Sequence, residues 1–130
     1  MAAHWPGATG TIADLMNAAP KVVYSRTLER AEWNNTTLVR EDAAKHVAAL
    51  KREPGGDLYV FGSGELCESL LRADLVDEVR LCVAPVALGT GRPHFGRGLA
   101  RRRFRLLESR PVSSGAVVLR YATTGAGTSA

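Results

Sequence analysis

Cysteine is scarce in this sequence. Two occur among 130 residues, Cys67 and Cys82, and they form no Cys-x-x-Cys pair. That excludes a disulfide framework and a cysteine-rich zinc module, and it favours two small core residues in a reducing cytoplasm. Histidine is as sparse, and His4, His46 and His94 share no metal-ligand spacing. No apolar run approaches the roughly 20 residues that cross a bilayer, so no membrane association is expected. The opening residues lack a basic stretch followed by an apolar one, so they do not read as a secretory signal. No Ser, His and Asp stand around a nucleophile elbow, and no Gly-Lys-Ser/Thr completes a P-loop. Internal repeats are absent as well.

What is present suits one folded domain. Hydrophobic residues make up 45% and charged ones 23%, enough apolar side chain to build a core. Seventeen basic against 13 acidic residues leave a net charge of +4, which suits an anionic partner without naming one. Six arginines concentrate late in the chain: Arg92, Arg97, Arg101, Arg102, Arg103 and Arg105. Only Phe95 and Phe104 interleave with them, and no helical pattern is there to enter a groove. A solvated, charged loop is the expectation. A nucleic-acid-binding module using Arg97 to Arg105 stays as an alternative.

The punctuation of the chain implies an order of elements. Ile12, Leu15 and Met16 form a short helical patch stopped by Pro20. Lys21 to Ser25 and Thr36 to Val39 are β-branched runs and read as strands. Glu41 and Asp42 place acid at the start of a helix carrying Ala43, Val47 and Leu50 on one face, ended by Pro54-Gly55-Gly56. Leu58-Tyr59-Val60-Phe61 is continuously apolar, as for a strand covered on both faces. Gly62-Ser63-Gly64 breaks it and opens a helix from Glu65 to about Ala73, with Ser63 as N-cap. Val79 to Val83 alternates as a strand. Phe104 to Ser109 and Ala116 to Tyr121 read as a hairpin turning at Ser113-Ser114-Gly115. Strands alternating with helices imply an α/β three-layer domain with a mostly parallel sheet and an antiparallel C-terminal hairpin. The domain is expected over residues 1–122, with 123–130 as a flexible tail.

Two segments could carry chemistry. In Gly62-Ser63-Gly64-Glu65 a strand runs into a tight turn that opens a helix. Backbone there can approach a ligand closely, and the free N–H groups of the first helical turn favour a phosphate or pyrophosphate. A plain β-to-α turn is the bland alternative, because the longer Gly-x-Gly-x-x-Gly pattern fails at Cys67. Ser25-Arg26-Thr27 follows the first strand directly. Its guanidinium and two hydroxyls can hold a phosphate monoester; a solvated turn is the alternative. Both lie after strands assigned to one parallel sheet, where ligands of α/β sheets bind, so one dinucleotide could touch both.

Five blocks in order resemble a known family: Lys21 to Leu28, Trp33 to Thr37, Gly62 to Leu66, Leu75 to Leu81 and Pro85 to Gly91. They are similar to the dihydrofolate-reductase-like family typified by the C-terminal reductase domain of the bifunctional riboflavin-biosynthesis deaminase/reductase. The resemblance runs from about His4 to Tyr121. It implies an NADPH-binding fold that transfers hydride to a C=N or C=O bond. The riboflavin member reduces a ribosylaminopyrimidine phosphate, 5-amino-6-(5-phosphoribosylamino)uracil. By the resemblance, Ser25, Arg26 and Thr27 lie at the adenosine end of the cofactor. Gly62, Ser63, Gly64 and Glu65 lie at its pyrophosphate.

The family begins with a strand, a helix and a Gly-Arg-x-Thr-Tyr-Glu-like segment that have no counterpart here. Met1 to Gly7 resembles the stretch just after them. A start downstream of the true one, a shortened remnant, or a second chain completing the sheet would each account for this. The expectation is an NADPH-dependent reductase of a small heterocyclic substrate, cytoplasmic and homodimeric, with no catalytic residue assigned. A non-enzymatic NADPH-binding remnant or assembly subunit is the first alternative.

Overall fold

The computed structural model describes residues 4–61, 64–96 and 99–126. They group into two compact units, residues 1–46 and 47–130, and each is described by itself.

In the first unit a short 3-10 turn, Trp5–Gly7, precedes helix α1, Thr11–Ala18. Strands β1, Lys21–Tyr24, and β2, Thr36–Val39, then pair in parallel, with Lys21 opposite Thr36 and Tyr24 opposite Val39. Pro20 cannot continue α1, and Ala19 before it is already extended. The carbonyls freed at the end of α1 find a cation. Lys21 Nζ donates to the carbonyls of Met16 at 2.8 Å, Asn17 at 3.0 Å and Ala19 at 2.8 Å. The same ammonium lies 4.5 Å from the centre of the Trp33 ring, whose Nε1 donates to Asn17 Oδ1 at 2.6 Å. One residue therefore joins helix end, strand start and the β1–β2 loop.

Helix α2, Ala43–Arg52, begins as its acids imply. Asp42 Oδ1 accepts from the Ala44 N–H at 3.3 Å, while Lys51 and Arg52 sit in the last turn, where the dipole favours positive charge.

In the second unit helix α3, Gly64–Arg72, is followed by strands β3, Glu78–Val83, β4, Arg102–Pro111, and β5, Val117–Ala126. The three strands form an antiparallel sheet in the order β3-β5-β4. The β4–β5 turn closes where the Gly115 N–H donates to the Val112 carbonyl at 3.0 Å. Gly115 takes φ 92°, which explains a glycine there. A bulge lies between Leu106 and Glu108. One face of the sheet carries aromatic contacts, with Phe104 5.9 Å from Phe95 and 6.1 Å from Tyr121 between ring centres. The other face is ionic. Glu78 Oε1 accepts at 2.7 Å from Arg80 Nε on its own strand and at 2.7 Å from Arg120 Nε across the β3–β5 ladder. Leu70 and Leu71 of α3 are buried.

The α/β class stands, with mixed rather than mostly parallel pairing. Leu58 to Phe61 belongs to no helix and to no ladder among the described residues. Its side chains are 55%, 57%, 41% and 59% exposed, so it is not a strand covered on both faces. Its apolar, β-prone composition allows a strand, but a strand forms only where a ladder partner is in place, and composition does not supply one. The C-terminal hairpin is longer than expected. β5 takes up Thr123 to Ala126, which the sequence assigns to the tail, because backbone pairing with β4 continues there (Arg102 opposite Ala126). Residues 127–130 lie outside the described residues.

Candidate functional site

At the carboxyl end of the β1–β2 pair the chain is shaped before any ligand arrives. The Ser25 N–H donates to the Val39 carbonyl at 3.1 Å and extends the parallel ladder by one bond. Ser25 Oγ then accepts from the N–H groups of Thr27 at 3.3 Å and Leu28 at 3.1 Å. This is a hydroxyl-closed turn, in which the side chain takes the place of a backbone acceptor. Ser25 is half-buried, while Arg26 and Thr27 are exposed on the turn. The geometry divides the three roles. Ser25 holds the loop, and Arg26 and Thr27 stand exposed on it.

Two neighbours of this loop escaped the sequence reading. Arg40 follows β2 as Ser25 follows β1, and its Nη2 donates to the Glu29 carbonyl at 2.8 Å. That bond fastens the far side of the loop and puts a second guanidinium at the carboxyl end of the pair. A basic residue directly after a parallel strand was the signal available. Tyr24, the last residue of β1, shares a 2.8 Å hydrogen bond between its hydroxyl and His46 Nδ1, with the rings edge-on at 5.5 Å. Burial pushes the Tyr24 phenol above its usual range, and the Glu41 carboxylate adds to this. No periodicity could have paired residues 22 positions apart.

At the second segment, Gly62 and Ser63 lie outside the described residues. Gly64 opens α3, and a Cβ at its position would lie 3.5 Å from Arg92 Cζ. The Arg92 guanidinium is held there by Glu65 at 3.7 Å and Glu68 at 3.6 Å. Glu68 is the anchor. Its side chain is 12% exposed, it also meets Arg72 at 3.3 Å, and its carboxylate lies against Gly96, where a Cβ would displace it. The glycine-rich loop is thereby fastened to the first turns of α3. Glu65 is an exposed acid in the first turn, where the dipole favours it. The chemistry offered here is a helix N-terminus with a positioned guanidinium beside it.

The structure does not bring these two segments into one sheet. Ser25 to Thr27 belongs to the first unit and Gly64-Glu65 to the second, and the strand expected to link them, Leu58 to Phe61, is unpaired among the described residues. The expected solvated arginine loop is met in part: Arg92, Arg101, Arg103 and Arg105 are exposed, but not all on a loop. Arg102 is a strand residue with a side chain only 5% exposed, bonded to Asp74 at 2.6 Å, because β4 starts earlier than Phe104. Arg103 and Arg105 also lie on β4, Arg92 is held by two carboxylates, and Arg97 lies outside the described residues. Among the described residues no group of His, Cys, Asp and Glu could hold a metal ion, and both cysteines are free thiols.

The RibD C-terminal domain family matches residues 1–118. This chain belongs to that family. Two relatives from Bacillus subtilis (strain 168) carry the same likeness. YyaP is 32% identical over 111 residues, covering 85% of this chain and 58% of YyaP. YwjB is 30% identical over 84 residues, covering 65% of this chain and 48% of YwjB. Both bear the description uncharacterized protein. The chain thus spans about half the length of the curated relatives it matches. A crystal structure from Shewanella sp. PV-4, described as that of a riboflavin biosynthesis protein, superposes with a TM-score of 0.72 at 25% identity. The superposition covers 82% of this chain and 62% of that one. This RibD C-terminal domain has no helix among its described residues long and apolar enough to cross a membrane.

Proposed function

We propose that this chain supplies the cofactor-binding part of an NADPH-dependent reductase. Its substrate is a small heterocycle of the kind reduced in riboflavin biosynthesis, such as 5-amino-6-(5-phosphoribosylamino)uracil. The observation that carries the reading is the hydroxyl-closed turn at the carboxyl end of β1, which presents Arg26 and Thr27 outward in a RibD C-terminal domain. These residues fit an anionic nucleotide. Arg26 pairs with phosphate through its planar fork, Thr27 adds a hydroxyl donor, and Ser25 keeps both in place. Gly62, Ser63, Gly64 and Glu65 are assigned to the pyrophosphate. Gly64 leaves backbone room, and Arg92 beside it supplies charge. NADPH, when bound, supplies the hydride. The residues of this chain bind and orient it, and orientation is worth much of the rate in such a reaction. The chain acts as a homodimer. The free thiols Cys67 and Cys82 suit a cytoplasmic setting.

Calorimetric titration of NADPH against the whole chain tests the assignment. Arg26→Ala is expected to weaken binding about tenfold, since a hydrogen-bonded charge pair contributes about 1.5–3 kcal/mol and 1.4 kcal/mol is a factor of ten. Gly64→Asp puts a carboxylate where the diphosphate should lie and is expected to abolish binding. Unchanged affinity in both variants rejects the site. Turnover of bound NADPH with the pyrimidine substrate separates a reductase from an NADPH-binding subunit that performs no chemistry.

A further inference from the structure

In the unit of residues 47–130, Leu58 to Phe61 has the residues of a strand and no strand beside it. Its four side chains are apolar, and their exposure runs from 41% at Val60 to 59% at Phe61. The Tyr59 and Phe61 rings stack with centres 6.0 Å apart at 15°, which sets residues 59 and 61 on one side, as in a strand. The segment is also held in place. The Arg80 guanidinium of β3 lies 5.7 Å from the centre of the Tyr59 ring, and the Tyr59 hydroxyl donates to Asp57 Oδ2 at 3.4 Å. Yet no backbone N–H or carbonyl of Leu58 to Phe61 is hydrogen-bonded among the described residues.

Backbone and side chains call for the same thing. Unpaired N–H and carbonyl groups along a β-prone segment are a template for another strand. Consecutive large apolar side chains with no polar alternation fit a strand covered on both faces. Water can satisfy the backbone groups but not the side chains. A partner that adds a strand here gains ladder bonds and apolar burial together. A second copy pairing through the same four residues covers only part of the segment. It uses one edge, leaves both faces bare, and falls well short of the roughly 800 Å² per partner that a stable interface buries. Related chains offer a fuller cover. The part shared with this chain makes up 58% of YyaP and 62% of the Shewanella protein, so each carries further polypeptide beside it.

We propose that Leu58 to Phe61 is the docking site of a separate polypeptide segment, equivalent to the part of YyaP that this chain does not match. That segment adds a β-strand along the Leu58–Phe61 backbone and covers its apolar side chains. The inference rests on the family and on this segment, and it is independent of the cofactor reading.

The test mixes the full chain with the unmatched part of YyaP, made as a separate polypeptide. Binding is read by calorimetry, and the Leu58 to Phe61 amides are followed by hydrogen exchange. Saturable binding that removes the fast exchange of those amides is the expected result. Val60→Pro deletes a ladder donor, and the segment is unpaired in the chain alone. Its melting temperature is therefore expected to stay and its binding to be lost. Val60→Lys keeps the N–H but puts a charge where apolar cover is needed, and it is expected to lose binding too. Should Val60→Pro fail to fold, Val60→Lys decides. No binding, binding that leaves the Leu58 to Phe61 amides fast, or equal binding by both variants overturns the proposal. Slow exchange in the chain alone that rises with protein concentration assigns the segment to a second copy and overturns it as well. NADPH titration of the unsubstituted chain is run in parallel. Strand docking without NADPH binding rejects only the cofactor reading, and the reverse rejects only this one.

Discussion

Single side chains carry unusual weight in this small domain. Glu78 is the clearest case. It accepts from two guanidinium groups on adjacent strands, and the Arg120 bond, then the Arg80 bond, hold its carboxyl down to about 2 from an ordinary 4.5. A carboxyl with a depressed pKa contributes stability above its unfolded value. That contribution is lost as pH falls from about 4.5 through about 2. Glu78→Gln is therefore expected to lower the urea midpoint at neutral pH, and the gap to the unsubstituted chain should close in that acid window. A gap that stays constant with pH would show that the Arg80–Glu78–Arg120 group is only a surface ornament, as many exposed ion pairs are. Ser25 works through geometry rather than charge. Its hydroxyl closes the turn that aims Arg26, so Ser25→Ala should weaken NADPH binding without altering the melting temperature by more than a few degrees. Calorimetry beside a thermal melt checks both halves.

Among the elements, the β4–β5 hairpin and α3 set most of the order in the C-terminal unit. The hairpin depends on one backbone conformation. Gly115 has φ 92°, and a Cβ there would also meet Pro85 Cγ at 3.3 Å. Gly115→Ala is expected to cost about 1–2 kcal/mol from the left-handed backbone alone. Denaturant unfolding with an unchanged m-value would confirm that only stability moved. In α3 the buried Leu70 and Leu71 hold one side, and Glu68 with Arg92 holds the glycine-rich loop at the other. The same helix thus has a packed side that secures it and a side that fastens the loop.

For the whole molecule, the sheet arrangement makes a forecast that amide hydrogen exchange can check. β5 lies between β3 and β4 and has both backbone edges paired, so its amides should exchange slowest. Leu58 to Phe61 lies in no ladder among the described residues and exposes its side chains, so its amides should exchange orders of magnitude faster. Equal protection in the two segments would mean that Leu58 to Phe61 is paired in solution. A second copy of the chain in the proposed homodimer is one source of that pairing, and exchange measured at several protein concentrations would show it.

Much of this protein is settled by local chemistry, and that part could be read directly. β-branched runs made β1 and β2, Asp42 and Pro54 bounded α2, and Gly115 turned the hairpin, because each depends on backbone preferences of a few neighbouring residues. The ordered blocks from Lys21 to Gly91 pointed to the family that the match over residues 1–118 then established. Tertiary structure alone decided the rest. It left Leu58 to Phe61 unpaired among the described residues, drew Arg102 out of a basic cluster into a buried bond with Asp74, and set Arg92 beside Gly64 and Tyr24 against His46. Those outcomes join residues far apart in the chain. Propensity and periodicity describe what a segment can form, and only the fold determines which partner it meets.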